Sequence, residues 1–129
     1  MITTPVALGA IGQISRVVSD IPRAVDWYRD VIGLRHLFTF GSLAFFDCEG
    51  IRLFLTLPEQ GVSVGNSVIY FRTTDIDAEY RRLTAQGVSF RGAPHLIHRH
   101  DSGVEEWMAF FEDPDGGLLA LMSQVGPRN

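Results

Sequence analysis

Apolar and polar positions along this chain follow two periods, and the order in which those periods alternate occurs twice. Residues 11–18 (IGQISRVV) alternate as a strand does, with successive side chains on opposite faces. Asp20 then offers an N-cap, and Pro22 suits a first helical turn. Ile21, Ala24, Val25, Tyr28 and Ile32 recur at the three- and four-residue intervals that line one face of a helix. Gly33 is placed to end that helix. Strand patterns follow near 34–40, 42–48 and 51–57. Residues 58–66 (PEQGVSVGN) read as a linker. The same order then returns. A strand is predicted at 67–73, with Asp75 as a cap and a helix carrying Ile76, Tyr80 and Leu83. Gly87 stops it, and strands follow near 88–97, 105–112 and 118–124. Asp113-Pro114-Asp115-Gly116-Gly117 reads as a tight turn, with both aspartates as turn formers. The tail 126–129 is expected to fray.

The two passes are copies of one unit. VVSDIPRAVDWYRDVIGL (17–34) corresponds to RTTDIDAEYRRLTAQGVSF (72–90), and LAFFDCEGIRLFLTL (43–57) to MAFFEDPDGGLLALMS (108–123). Asp20 and Asp75 are 55 positions apart, whereas Phe45 and Phe110 are 65 apart. The extra length falls around a His-rich segment of the second copy. A repeat of this length predicts an α+β fold of two β-α-β-β-β modules, residues 11–57 and 67–125, within one domain spanning 1–129.

Composition narrows the chemistry. The formal net charge is −4, which gives no electrostatic reason to expect nucleic acid or an anionic membrane. All 11 basic residues are Arg, so a Schiff-base lysine is impossible. Cys48 is the only cysteine, so no intrachain disulfide forms, as suits the cytoplasm. The N-terminus lacks the basic region and apolar run of a signal peptide. No stretch approaches the roughly 18 apolar residues of a membrane span. A Ser-His-Asp motif, a phosphate loop and a dinucleotide fingerprint are all missing.

The strand-VSD-helix-WYRDVIGL pattern, with FFEDPDGGLLAL near the C-terminus, resembles the vicinal-oxygen-chelate superfamily over roughly residues 11–125. That group includes glyoxalase I, bleomycin-resistance proteins and extradiol dioxygenases. The resemblance implies two modules whose sheets curl into a cup, commonly in a homodimer that sometimes exchanges modules. It says less about function, because one scaffold hosts many activities.

Enzymes of that superfamily hold a divalent metal through the first and last strands of each module. Their first-strand ligand lies seven residues before the capping Asp, which gives Gln13 and Val68 here. The last-strand ligand lies six residues after the Pro of the DPDG turn, which gives Ala120, and the repeat places Phe54 opposite it. One amide beside Phe, Val and Ala lacks the carboxylates or imidazoles such an ion requires. The resemblance therefore implies no metal at this position, and no cofactor is expected.

If those positions face a cup, strand alternation adds Ile11, Ser15 and Val17 to Gln13, and Arg52 and Thr56 to Phe54. It adds Tyr70 and Arg72 to Val68, and Leu118 and Met122 to Ala120. The set is apolar with a few polar groups, as small-molecule sites are. Arg52 and Arg72 either meet an anionic ligand bidentately or sit solvated at a rim. Arg16 falls on the helix-facing side, where it pairs with an acid on the helix or marks a bulge. One half of the strand carrying Trp107, Phe110 and Phe111 also faces the cup, and the pattern does not say which.

Segment 94–101 (PHLIHRHD) places His95, His98 and His100 close to Asp101. Three imidazoles and a carboxylate so close could bind a metal; the segment otherwise reads as a strand end and flexible loop, serving as a polar lid, a dimer contact or a source of a general acid–base imidazole. Tyr70 is a further candidate for proton transfer. Cys48 lies between Asp47 and Glu49, which disfavours a thiolate. Trp27 and Tyr28 read as core and interface. Two functional readings stand. The first is a metal-free protein that binds a small molecule as a homodimer. The second is a lyase, isomerase or dioxygenase-type enzyme, either metal-free or using an unrecognised metal site.

Overall fold

A computed structural model describes residues 8–58 and 67–127. The first module runs β1 (Gln13–Val17), α1 (Ile21–Asp26), a π-helical segment (Trp27–Ile32), β2 (Arg35–Phe40), β3 (Leu43–Cys48) and β4 (Ile51–Thr56). The second runs β5 (Ile69–Arg72), α2 (Ile76–Ala85), β6 (His95–Arg99), β7 (Glu105–Glu112) and β8 (Leu118–Val125). Their sheets have the same plan, β1-β4-β3-β2 and β5-β8-β7-β6, with the first pair parallel and the others antiparallel. Even the irregularities correspond: the outer antiparallel pair of each sheet shifts register between His36 and Phe38 and between Leu96 and His98. The α+β, twice-repeated fold agrees with the periodicity of the chain.

Local chemistry explains the helix ends. Asp20 and Asp75 each accept a backbone N–H three residues on, from Arg23 at 2.9 Å and Ala78 at 3.0 Å. Gly33 closes the first helix at φ 92°, a left-handed conformation that favours glycine. The helix expected as one continuous α segment widens into a π-turn from Trp27 onward. Adjacent aromatics then serve different sheets. Tyr28 packs on Phe46 of the first sheet with ring centroids 6.1 Å apart, and Trp27 packs on Phe111 of the second at 6.4 Å.

One core results. Ala44, Phe46, Leu53 and Leu55 of the first sheet share it with Ala109, Phe111, Leu119 and Leu121 of the second, around Tyr28 and Leu83. Each fully buried Leu or Phe side chain contributes roughly 1.5–3 kcal/mol. The modules are further joined by Arg82 of α2, which donates to the Val31 carbonyl oxygen at 2.9 Å.

Two expectations are corrected. The strand predicted at 88–97 starts only at His95; Phe90 forms a single bridge to Phe111, and the Gly92–Pro94 stretch interrupts pairing. His95, inside the predicted strand, and His98, just beyond it, both lie on an edge strand, β6. Arg16 pairs with neither a helix acid nor a bulge. It reaches Asp113 in the turn of the other module, Nε to Oδ2 3.5 Å, and donates to the Leu118 carbonyl oxygen at 2.6 Å. Most of the expected linker, from residue 59 to 66, and residues 128–129 of the tail lie outside the described residues.

Candidate ligand-binding faces

Strand register sorts the outer face of the first sheet into rows. Ser15, Phe54, Phe45 and Phe38 form one row, and Gln13, Arg52, Asp47 and Arg35 the next. Val17, Thr56, Leu43 and Phe40 form a third. The central row is an aromatic ladder, with Phe38 and Phe45 stacked at 4.6 Å and Phe45 and Phe54 at 5.6 Å. The Arg52 guanidinium lies 5.6 Å from the Phe45 ring centroid, within cation–π range. Phe38 and Phe40 remain 48% and 75% exposed, an unusual cost for two large apolar side chains on one face.

The outer face of the second sheet follows the same rule. Tyr70, Ala120 and Phe110 form the row equivalent to the ladder, and Arg72, Met122, Met108 and His95 the next. Tyr70 meets Phe110 edge-on at 6.0 Å, and His95 lies 6.2 Å from the Phe110 ring. A third row holds Gln124, Glu106 and His98. Glu106 accepts from Gln124 at 2.7 Å and contacts the His100 Nε2 at 3.2 Å; both hold its carboxyl below the usual range, Gln124 more strongly. His98 and His100 rings meet edge-on at 4.6 Å. Alternation also settles β7: Met108 and Phe110 face outward, and Trp107 and Phe111 face the core.

Each sheet turns its other side to the shared core, so the rows carrying Phe54 and Ala120 lie on the outer faces of different sheets. Gln13 and Phe54 lie on one outer face and Ala120 on the other, with Val68 just before β5. Gln13, Ser15, Arg52, Phe54 and Thr56 share one face; Tyr70, Arg72, Ala120 and Met122 share the second. His95 and His98 join the second face, with His100 at its edge.

The donor set at the first- and last-strand positions is one amide with three hydrocarbon side chains, which fits no divalent ion. Among the described residues, no group of three or more His, Cys, Asp or Glu is arranged to hold a metal ion. Cys48 is a poor nucleophile, because burial and then the charges of Glu49 and Asp47 push its thiol up. Sequence reading missed Phe38, Phe45 and Met108, and named Phe110 without settling which half of its strand faces outward. The signal available was cross-strand alternation from Phe54 and Ala120, but the bulge in β2 breaks parity between His36 and Phe38.

The sequence profile of the Glyoxalase/Bleomycin resistance protein/Dioxygenase superfamily matches residues 10–121. The uncharacterized protein YraH of Bacillus subtilis (strain 168) is 25% identical over 131 residues, covering 88% of this chain and 97% of its own. TnmS3, an antibiotic binding protein from Streptomyces sp. CB03234, superposes with a TM-score of 0.74 at 24% identity, covering 93% of this chain and 99% of its own. Lactoylglutathione lyase from Agrobacterium tumefaciens superposes at 0.73 with 24% identity, covering 91% and 95%. One neighbour is a binder and the other an enzyme, so at these identities they show the fold alone. Among the described residues, no helix is long and apolar enough to cross a membrane.

Proposed function

Because this chain belongs to the Glyoxalase/Bleomycin resistance protein/Dioxygenase superfamily, we propose that it binds a flat, largely apolar small molecule without a metal. The cup forms when the ladder face of one copy closes over the Tyr70–Phe110 face of a second copy in a homodimer. The observation that carries this reading is the Phe38–Phe45–Phe54 ladder: three rings in line, partly open, on a face that the described residues do not cover. Offset rings of this kind offer a conjugated ligand stacking surface on top of area burial. Arg52 over the ladder suits a ligand bearing negative charge. The antibiotic-binding neighbour is consistent with such a role. The lone Cys48 and the acidic balance suit a cytoplasmic protein.

A catalytic reading draws on the other face, where Tyr70, Arg72, His95 and His98 stand together. Proton transfer there would run through these side chains.

Native mass spectrometry of protein purified without a metal column tests the proposal. The expected species is a metal-free dimer, shifted in mass by flat aromatic compounds and not by them after Phe45→Ser. A metal-loaded species at near one equivalent, abolished by Gln13→Ala, would replace this reading with a metal-dependent enzyme.

A further inference from the structure

Between the two modules lies a groove of about 530 Å³; Phe38, Phe45 and Phe54 do not line it, but Arg35 and Asp47 of the adjoining row and Tyr70 and Arg72 of the second outer face do. That volume is in the range of metabolite and drug sites. Its first wall comes from the turn after the π-helical segment, with Leu34 and Arg35, and from the β3–β4 hairpin, with Asp47 and Glu49. Its second wall is the β5 edge, with Arg72, and α2, with Arg82 and Leu83. Phe111 and Leu121 give it an apolar floor.

The charges in this groove are not equivalent. Arg82 is spent: its Nε donates to Glu79 Oε2 at 2.9 Å and its Nη1 to the Val31 carbonyl oxygen at 2.9 Å. That pair neutralises Glu79. Asp47 accepts from the Gly50 backbone N–H at 3.2 Å and stands between Arg35 and Arg52 on the neighbouring strands. Arg35 and Arg72 remain, one on each wall, and neither makes an ion pair among the described residues. Glu49, from a backbone at φ 49°, and Asp47 oppose them, and neither carboxylate makes an ion pair among the described residues.

We infer that this groove is a second ligand site, which takes a small organic anion, a carboxylate or phosphate on an apolar body. The anion lies between Arg35 and Arg72, and the body rests on Leu83, Phe111 and Leu121. Two guanidinium forks from opposite walls suit a planar carboxylate or a phosphate better than point charges would. Partial enclosure raises the value of each contact over that at an open surface. Because the walls belong to different modules, the occupant also bridges them. None of the three ladder rings lines this groove.

The test is a titration of the ¹⁵N-labelled full chain with benzoate and, separately, with phenyl phosphate. Saturable shifts are expected at the Leu34, Thr73 and Leu83 amides. Arg35→Gln and Arg72→Gln should each weaken binding about tenfold or more, the usual effect of losing a charge-assisted contact. Arg35→Lys, which keeps charge but loses the fork, should fall between. Glu49→Gln should tighten binding, and Phe45→Ser should leave it unchanged. A benzoate-only response selects the carboxylate and a phenyl phosphate-only response selects the phosphate. Shifts clustered on Phe45, Phe54 and Phe110 would place the anion on the cup faces and overturn the inference. So would affinities unchanged in both Gln variants, or no saturation at roughly 10 mM, weaker than ordinary metabolite affinities. Groove binding in the parent chain without any mass shift by flat aromatic compounds would refute the cup proposal alone.

Discussion

Tyr28 and Asp113, 85 residues apart, share a buried hydrogen bond of 2.8 Å in which the phenol donates to carboxylate Oδ2. The same Oδ2 faces Arg16, and Oδ1 accepts the backbone N–H groups of Asp115 and Gly117 at 2.9 and 2.8 Å. One carboxylate thus orders the turn of the second module and ties it to both the strand and the helix of the first. Its side chain is 1% exposed and that of Arg16 is 9% exposed, so neither charge has water to fall back on. Breaking the pair from one side leaves a buried charge unpaired. Asp113→Ala is expected to cost about 3–5 kcal/mol and Tyr28→Phe about 1–2 kcal/mol. In urea unfolding the double variant should lose less than the two single losses added, because the residues share one network.

The same bond sets an alkaline limit. Burial first, and then the Asp113 charge, hold the Tyr28 hydroxyl proton far above the ordinary phenol range. The folded chain therefore keeps this proton where the unfolded chain releases it. Stability from this group is fully present below the unfolded phenol value of about 10 and declines as pH rises beyond it. Melting curves should show this decline in the parent and a shallower one in Tyr28→Phe.

Gly117 is required by space. A Cβ there would lie 2.6 Å from Arg16 Nη2 and 2.9 Å from Asp113 Oδ2. Gly117→Ala should cost about 1–3 kcal/mol, since the buried pair must shift. Gly92→Ala, where a Cβ meets nothing within 4 Å and φ is not positive, is the control and should change stability little.

Phe45 and Phe46 are neighbours with opposite duties. Phe46 is 0% exposed in the core, and Phe45 belongs to the outward ladder. Phe46→Ala should lower stability by about 3–5 kcal/mol in urea. Phe45→Ala should cost clearly less and should abolish the mass shift by flat aromatic ligands.

Acid should loosen the outer edge of the second sheet. Arg99 first and then Trp107 hold the Glu105 carboxyl below its usual range, and Gln124 and His100 do the same for Glu106. Depressed carboxyls contribute stability above their unfolded value, and it is lost as pH falls through the folded value. Amide exchange in β6 should therefore accelerate, relative to β8, below pH about 4.

The chain's own pattern determined the repeat, the α+β class, the caps at Asp20 and Asp75 and the helix stop at Gly33. These depend on neighbours within a few residues, where periodicity and local hydrogen bonding decide the outcome. Four features required the tertiary structure. The π-turn at Trp27 is one, and there adjacent aromatics pack on different sheets. Asp113, legible only as a turn former, becomes a buried hub because Arg16, from the other module, folds against it. The ladder forms because antiparallel register sets Phe38 and Phe45 beside Phe54 after a bulge has shifted parity. The outward direction of both predicted cup faces follows from the modules sharing their helix-facing sides in one core. Contacts between residues 85 or more apart carry no trace in local spacing, and they decide which faces this protein leaves open.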